Sequence, residues 1–330
     1  MTLIAEGEYP LLQIDNFIFH VVHHDAAEPV LLEETEIGEF HDFFLGRIKD
    51  TLKGNRFIFL PTSPTLSNLR ALAEEPERFV EITQAMAQSF HARRDKRIKP
   101  GVFIVMRLHA GNRTFFSLIK YDHERVVTYE LQDRRAVLRS IASSFTQSPD
   151  ALHKSALVEL TADNAEIVVI DRTVRSEITE FFRGFLDVKR KFTNAQLTAV
   201  VENVLVQTVR EHQQDLPAEM VARARERFAE VVEQRDEFEA EPFVAEYFGP
   251  HGSEAIKGKF EHLLTKKHIA GEVFRFDGDA VQVGRTIKYQ TAEGITIDVP
   301  EYAKETMNIT HHPDGNTTTI TIETSRLSQK

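Results

Sequence analysis

Near residue 175 the hydrophobic pattern changes period, and that change constrains the fold more than any other feature. Upstream, apolar residues come in short runs and alternations bounded by turn residues, the signature of strands. Downstream they recur every three to four residues, the signature of helices. Past about residue 270 the short strand-like runs return. A chain of 330 residues is long enough for more than one hydrophobic core. The order strands, helices, strands predicts an α+β protein with three parts. These are an N-terminal domain over 1–175 with a mixed or antiparallel sheet and helices, a helical segment over 176–250 packed on it, and a small β-rich C-terminal domain over 251–330. The run Gly249-Pro250-His251-Gly252 marks the second boundary.

Within the first part, branched and aromatic residues predict a strand over 13–22, with 30–32 as its partner. Ile37, Phe40, Phe44 and Ile48 predict a helix over 36–52, and FIFL predicts a buried strand at 57–60, ended by Pro61 and Pro64. Phe79, Ile82, Met86 and Phe90 stripe a helix over 76–94 that begins at Pro76. Three strands, 102–108, 114–121 and 125–131, read as an antiparallel meander. The pattern over 134–145 favours a helix without deciding it, and 156–160 with 165–170 reads as a hairpin. Helices are predicted over 177–190, with Ser176 as N-cap, and over 194–213, 217–237, 242–248 and 253–267. Short strands follow at 272–276, 280–283, 286–290 and 295–299, with a last hairpin turning at 313–316.

The chain has no cysteine, which excludes disulfides, Cys-based zinc sites and a thiol nucleophile. No run is apolar enough for a membrane span, and the stretch MTLIAEGEYPLL has neither the basic nor the apolar region of a signal peptide, so a cytoplasmic protein is expected. Phosphate-binding loops, dinucleotide fingerprints, H-E-x-x-H and G-x-S-x-G are all missing. His20, His23 and His24, and the pair His311 and His312, are poorly spaced for shared metal ligation, because neighbours on a strand face opposite sides. Asp163, Glu166 and Asp171 lie around one hairpin, but no lysine follows at a spacing suited to a metal-dependent nuclease. No catalytic residue, metal site or cofactor is therefore assigned, and binding rather than catalysis is expected.

Net charge is −11, yet it is unevenly spread. Residues 1–50 hold 11 acids and 2 bases, whereas 91–107 hold 6 bases and one acid. Salt screens charges beyond about 10 Å, so a local basic patch can bind an anion on an acidic protein. Two clusters qualify: Arg93, Arg94, Lys96, Arg97 and Lys99, and then Arg183, Lys189, Arg190 and Lys191. The second lies in FFRGFLDVKRKF, where Phe181, Phe182, Phe185 and Leu186 share a helical face and belong to a core. Its basic triplet reads either as a solvated helix end complementing the helix dipole or as a set of phosphate contacts.

Several stretches carry a resemblance. IDNFIFHV at 14–21, GVFIVMRL at 101–108, the stretch from Ile167 through FFRGFL to Leu186, and the C-terminal 271–300 together resemble the 37-kilodalton nucleoid-associated bacterial proteins, and the mass of 37.7 kDa agrees. The resemblance implies a non-enzymatic, DNA-associated protein of the cytoplasm and nucleoid, with an α+β fold, and it is compatible with an oligomer, a homodimer included. It brings no catalytic residues and no fixed set of DNA contacts. The basic run at 93–97 departs from the family, the triplet at 189–191 is no hallmark of it, and residues past about 308 read as an addition. The function expected is binding of double-stranded DNA with little sequence specificity through basic patches. The alternative is an interaction module whose acidic stretch at 28–42 recruits a DNA-processing or defence-system partner. A DNA-processing enzyme of unrecognised geometry is the third reading.

Overall fold

The apolar run at 101–106 has no polar face, because it begins a strand in a sheet covered on both sides. In a computed structural model, that strand is β3 (Gly101–Ala110), and its side chains alternate between two cores. Phe103 and Val105 face one, while Val102, Ile104, Met106 and Leu108 face the other. The structure describes the chain except residues 1–2, 5, 23–25, 94–98, 123, 133–134, 145–151, 163, 282–285, 301–305, 313–316 and 325–330; of 6, 124–132, 135–144, 286 and 300 it describes the backbone alone.

The N-terminal part contains β1 (Leu12–Val22), α1 (His41–Thr51), β2 (Asn55–Phe59), α2 (Pro64–Glu74), α3 (Phe79–Ala92), β3, β4 (Arg113–Asp122), β5 (Glu124–Gln132), β6 (Arg135–Ser144), β7 (Leu152–Leu160), β8 (Ala165–Asp171), α4 (Glu180–Leu186) and β9 (Val188–Arg190). Seven of these strands form one sheet in the order β1-β3-β4-β7-β8-β2-β9, antiparallel throughout. One face is covered by α2, α3 and α4, the other by α1 and the N-terminal residues Leu3 and Ile4. Aromatic packing locks the first layer. Phe90 of α3 stacks on Phe103 of β3 at 4.8 Å and meets Phe181 and Phe185 of α4 edge-on at 4.8 and 5.0 Å.

The rest of the chain contains α5 (Asn194–Glu211), α6 (Ala218–Ala222), α7 (Ala224–Gln234), β10 (Glu237–Phe238), α8 (Ala240–Phe248), α9 (Glu254–Lys266), β11 (Phe274–Arg275), β12 (Thr286–Gln290), β13 (Thr296–Pro300), β14 (Met307–His311) and β15 (Thr318–Ile322). Contacts gather the chain into two compact units. The first is Met1–Thr193 with Glu237–Ala240 and Thr265–Arg275; the second is Asn194–Asp236, Glu241–Leu264 and Phe276–Lys330. In the second, Phe228, Phe243 and Phe276 cluster with centroids about 6 Å apart, and the Tyr247 hydroxyl donates to the Ala224 carbonyl at 2.9 Å. The three-part division expected from sequence is a proposal about independently folding pieces, to be checked by limited proteolysis near 175 and 250. Among the described residues no helix is long and apolar enough to cross a membrane.

The α+β class and the order of sheet, helices and small C-terminal sheets agree with the sequence. Several elements differ, each for a physical reason. Helix α2 was not expected, yet Ser63 caps it, its hydroxyl accepting from Leu66 N–H at 3.1 Å, and Pro64 takes its first position. Within the stretch read as favouring a helix, Arg135–Ser144 is a strand, β6, whose backbone pairs with β5. The meander is therefore interrupted: β4 pairs next with β7, and β5 and β6 form a separate hairpin. The helix expected over 217–237 breaks into α6 and α7, and the one over 177–190 stops at Leu186. Its N-cap is Thr179 rather than Ser176, whose hydroxyl instead donates to Glu237 at 2.6 Å. Val30 does meet β1, through a single bridge to Val21.

Candidate nucleic-acid interface

The sheet register brings basic residues from distant sequence stretches to one end of the sheet. Gly101 opens β3 opposite Asp122 at the end of β4, Lys120 of β4 pairs with Lys154 near the start of β7, and Lys154 pairs with Asp171 at the end of β8. Asn55 opens β2 beside Val169 of β8. Four strand spacings separate β3 from β2 in this order, which is about 19 Å at about 4.8 Å each. Along that end stand Lys99 before β3, His153 and Lys154 in β7, Arg172 and Arg175 after β8, and Lys53 before β2.

Two lysines here are wholly buried and directly opposite each other, which like charges tolerate only if neutralised. Lys120 Nζ donates to Asp122 at 2.9 Å, and Lys154 Nζ to Asp171 at 2.6 Å and to the Thr173 hydroxyl at 3.1 Å. Burial holds the Lys120 ammonium below its usual pKa, opposed by Asp122, and the nearby Lys154 and Lys99 charges lower it further. Burial also lowers the His153 imidazole. For Asp171, burial pushes the carboxyl up, but Lys154 and the Thr179 hydrogen bonds outweigh it, and the net shift is downward. The second Asp171 oxygen accepts from the Thr179 N–H and hydroxyl at 2.9 and 2.7 Å. One carboxylate thus ties the end of β8 to the start of α4 and shapes the loop that carries Arg172 and Arg175.

The first basic cluster begins where α3 ends. Arg93 is exposed, and its guanidinium reaches α4: Nη1 lies 2.6 Å from where a Cβ on Gly184 would stand. Arg93 of the first cluster therefore lies against the helix that carries Arg183 of the second. Lys99 is exposed, and Arg94, Lys96 and Arg97 lie outside the described residues. Arg183 is half-buried and pairs with Glu177 at 2.7 Å and Glu180 at 3.6 Å, which neutralises much of its charge.

The triplet 189–191 is not the end of a helix. Asp187 takes a left-handed backbone with φ 55°, its N–H bonds the Arg183 carbonyl at 2.7 Å, and the chain then joins the edge of the sheet as β9. Strand alternation separates the three residues. Lys189 is exposed, and Lys191 is exposed beside Glu166 at 3.7 Å. Arg190 turns inward, lying over the Phe57 ring at 5.5 Å and pairing with buried Glu272 at 3.1 Å. Burial pushes the Glu272 carboxyl up, against the pull of Arg190 and Arg56. Arg190 is thus committed to holding the chain at 272 against β2 and β9.

The family model described as NA37, nucleoid-associated protein YejK, matches residues 18–324. The chain belongs to that family. The match covers the buried lysines, both basic clusters and the loop after β8. It also reaches past 308, so the segment read as an addition lies within the family's extent as far as residue 324. No curated protein matches the chain. Sequence reasoning did not single out Lys53, Arg172 and Arg175, which stand singly or three apart and become a group only through strand register. Among the described residues, no three His, Asp or Glu side chains are grouped to hold a metal ion.

Proposed function

We propose that this member of the nucleoid-associated family is a non-enzymatic binder of double-stranded DNA with little sequence specificity, acting at the nucleoid in the cytoplasm. The observation that carries this reading is the gathering of Lys53, Lys99, Arg172 and Arg175 at one end of the sheet. It is supported by Arg93 against α4 and by Lys189 on the edge strand. Cations held on a rigid sheet need only reach phosphates, and a duplex offers one charge per about 1.7 Å of its axis. Arg190 is left out of the contact set because of its pair with Glu272. Arg94, Lys96, Arg97 and Lys191 stay in it as basic neighbours. Fluorescence anisotropy with a labelled duplex tests the reading: combined Arg93→Ala and Lys99→Ala replacement weakens binding equally for unrelated sequences. Unchanged binding would remove these residues from the interface.

A second reading has its own support. Leu11 and Phe40 are 58% and 59% exposed, and their chain neighbours Pro10, Leu12 and His41 line a depression of about 450 Å³ together with Asp42, Leu45 and Lys49. Acidic residues lie close to it in the sequence, at Glu36, Glu39 and Asp42. A basic DNA-processing or defence-system protein fits such chemistry. Pull-down with and without nuclease separates the readings, because DNA-bridged partners vanish on digestion. A homodimer is part of the proposal, and light scattering after size exclusion reads it directly.

A further inference from the structure

One depression in the first unit lies at the basic end of the sheet, and it is a concave site where duplex binding needs only surface cations. It has a volume of about 360 Å³ and lies where β8 ends and β2 begins. That volume is in the range of sites for one small ligand. Lys53, Arg172 and Arg175 line it, together with Asp50, Asp171 and Glu239.

The lining is evenly charged on paper, but its acids are already engaged. Asp171 is bonded to Lys154 at 2.6 Å and to Thr179. Glu239 pairs with Arg175 at 3.1 Å, and Asp50 with Arg47 at 3.6 Å. Among the described residues Lys53 and Arg172 form no ion pair. Arg172 donates through Nε to the Leu152 carbonyl at 3.0 Å, which fixes the guanidinium and leaves its outer nitrogens for a ligand. The backbone is brought in closely as well. A Cβ on Gly54 would stand 2.4 Å from the Val169 carbonyl oxygen, and one on Gly271, at φ +82°, would stand 3.1 Å from the Lys53 carbonyl oxygen. Lys53 is thereby held at the rim by its own backbone. A lysine point charge beside a fixed guanidinium fork suits a compact anion carrying several acceptor oxygens.

We propose that this depression seats a phosphate monoester, carried either by the 5′ end of a DNA strand or by a free mononucleotide. The DNA-end source rests on the DNA-binding reading above; the mononucleotide source does not. Calorimetry on the full chain tests it with two probe pairs: one blunt duplex with 5′-phosphate or 5′-hydroxyl ends, and a nucleoside 5′-monophosphate beside its nucleoside. The phosphorylated member of at least one pair binds about tenfold tighter, the worth of one charge-assisted contact. Lys53→Ala removes that preference, and Asp50→Asn enlarges it, a gain that a merely structural role would not produce. Arg93→Ala with Lys99→Ala weakens both duplexes and leaves the preference in place. Preference in the duplex pair alone assigns the site to DNA ends; preference in both pairs assigns it to nucleotides generally. Equal binding within both pairs overturns the proposal, as does a preference that Lys53→Ala leaves intact while thermal unfolding shows the variant folded. Loss of all duplex binding with a retained monophosphate preference would overturn the DNA reading alone.

Discussion

At the scale of single residues, position in the fold decides what each charge does. Arg93 and Gly184 form a case where a missing side chain makes room for a cation. The atom in the way of a new methyl group is the far end of a flexible side chain, so Gly184→Ala keeps the fold and displaces Arg93. We expect an unchanged melting temperature within about 2 °C, the response to less than 0.5 kcal/mol, and a loss of duplex affinity of a few-fold in the same anisotropy titration. His20 makes a second case. It is wholly buried, its Nδ1 accepts from the Leu32 N–H at 3.2 Å, and burial lowers its pKa to about 4. The folded value lies below the unfolded one, so the unfolded chain takes up the proton first. Stability from this group is complete above about pH 6.5 and falls as pH drops toward 4, by roughly 3 kcal/mol at pH 4. Urea midpoints between pH 7 and 4 should show this loss in the native chain and its absence in His20→Gln. Parallel curves would show that another group carries the acid sensitivity.

At the scale of elements, the buried lysines explain how the basic end of the sheet is held. Removing one partner of a buried pair leaves the other charge uncompensated, which costs roughly 3–5 kcal/mol. Lys154→Met alone should therefore be strongly destabilising. Adding Asp171→Asn should recover much of the loss, because an amide oxygen still accepts from the Thr179 N–H while no uncompensated charge remains at this pair. Thermal melts of the single and double variants check this, and equal destabilisation would place the role of Asp171 elsewhere. The same scale shows what was legible in the sequence. The strands at 13–22 and 101–108 were readable because branched and aromatic residues ran unbroken. The apolar face of α4 was readable from the spacing of Phe181, Phe182, Phe185 and Leu186. Its end was not, because a left-handed residue at Asp187 and pairing with β2 are not visible in a helical period. The strand β6 was missed for a related reason: its identity comes from its partner β5, three to twenty residues away, rather than from its own pattern.

At the scale of the whole molecule, binding and stability are unevenly distributed. The slope of log affinity against log salt should be near −0.9 per phosphate contacted, and each interface cation replaced by alanine should reduce its magnitude by up to that amount. A slope close to zero in the native chain would exclude binding by phosphate contact. Stability should follow burial. The residues of β3, β4 and β7 are mostly buried, whereas those of β14 and β15 are half-buried or exposed. A two-stranded hairpin is marginal by itself, so amides of β14 and β15 should exchange with solvent far faster than those of the central strands. Equal protection would mean that a partner or a second copy covers the hairpin.

The amino-acid sequence by itself determined the α+β class, the order of sheet, helices and small C-terminal strands, and the family resemblance. Each of these follows from local hydrophobic period and residue type, which neighbouring residues set. It also pointed to Arg93, Lys99 and Lys189 as exposed cations. Only the tertiary structure decided that Arg190 turns inward to Glu272, that Lys120 and Lys154 are buried face to face, and that Lys53, Arg172 and Arg175 line one depression. These depend on strand register and on which residue lies opposite which. Those relations join positions far apart in sequence, and no local pattern encodes them.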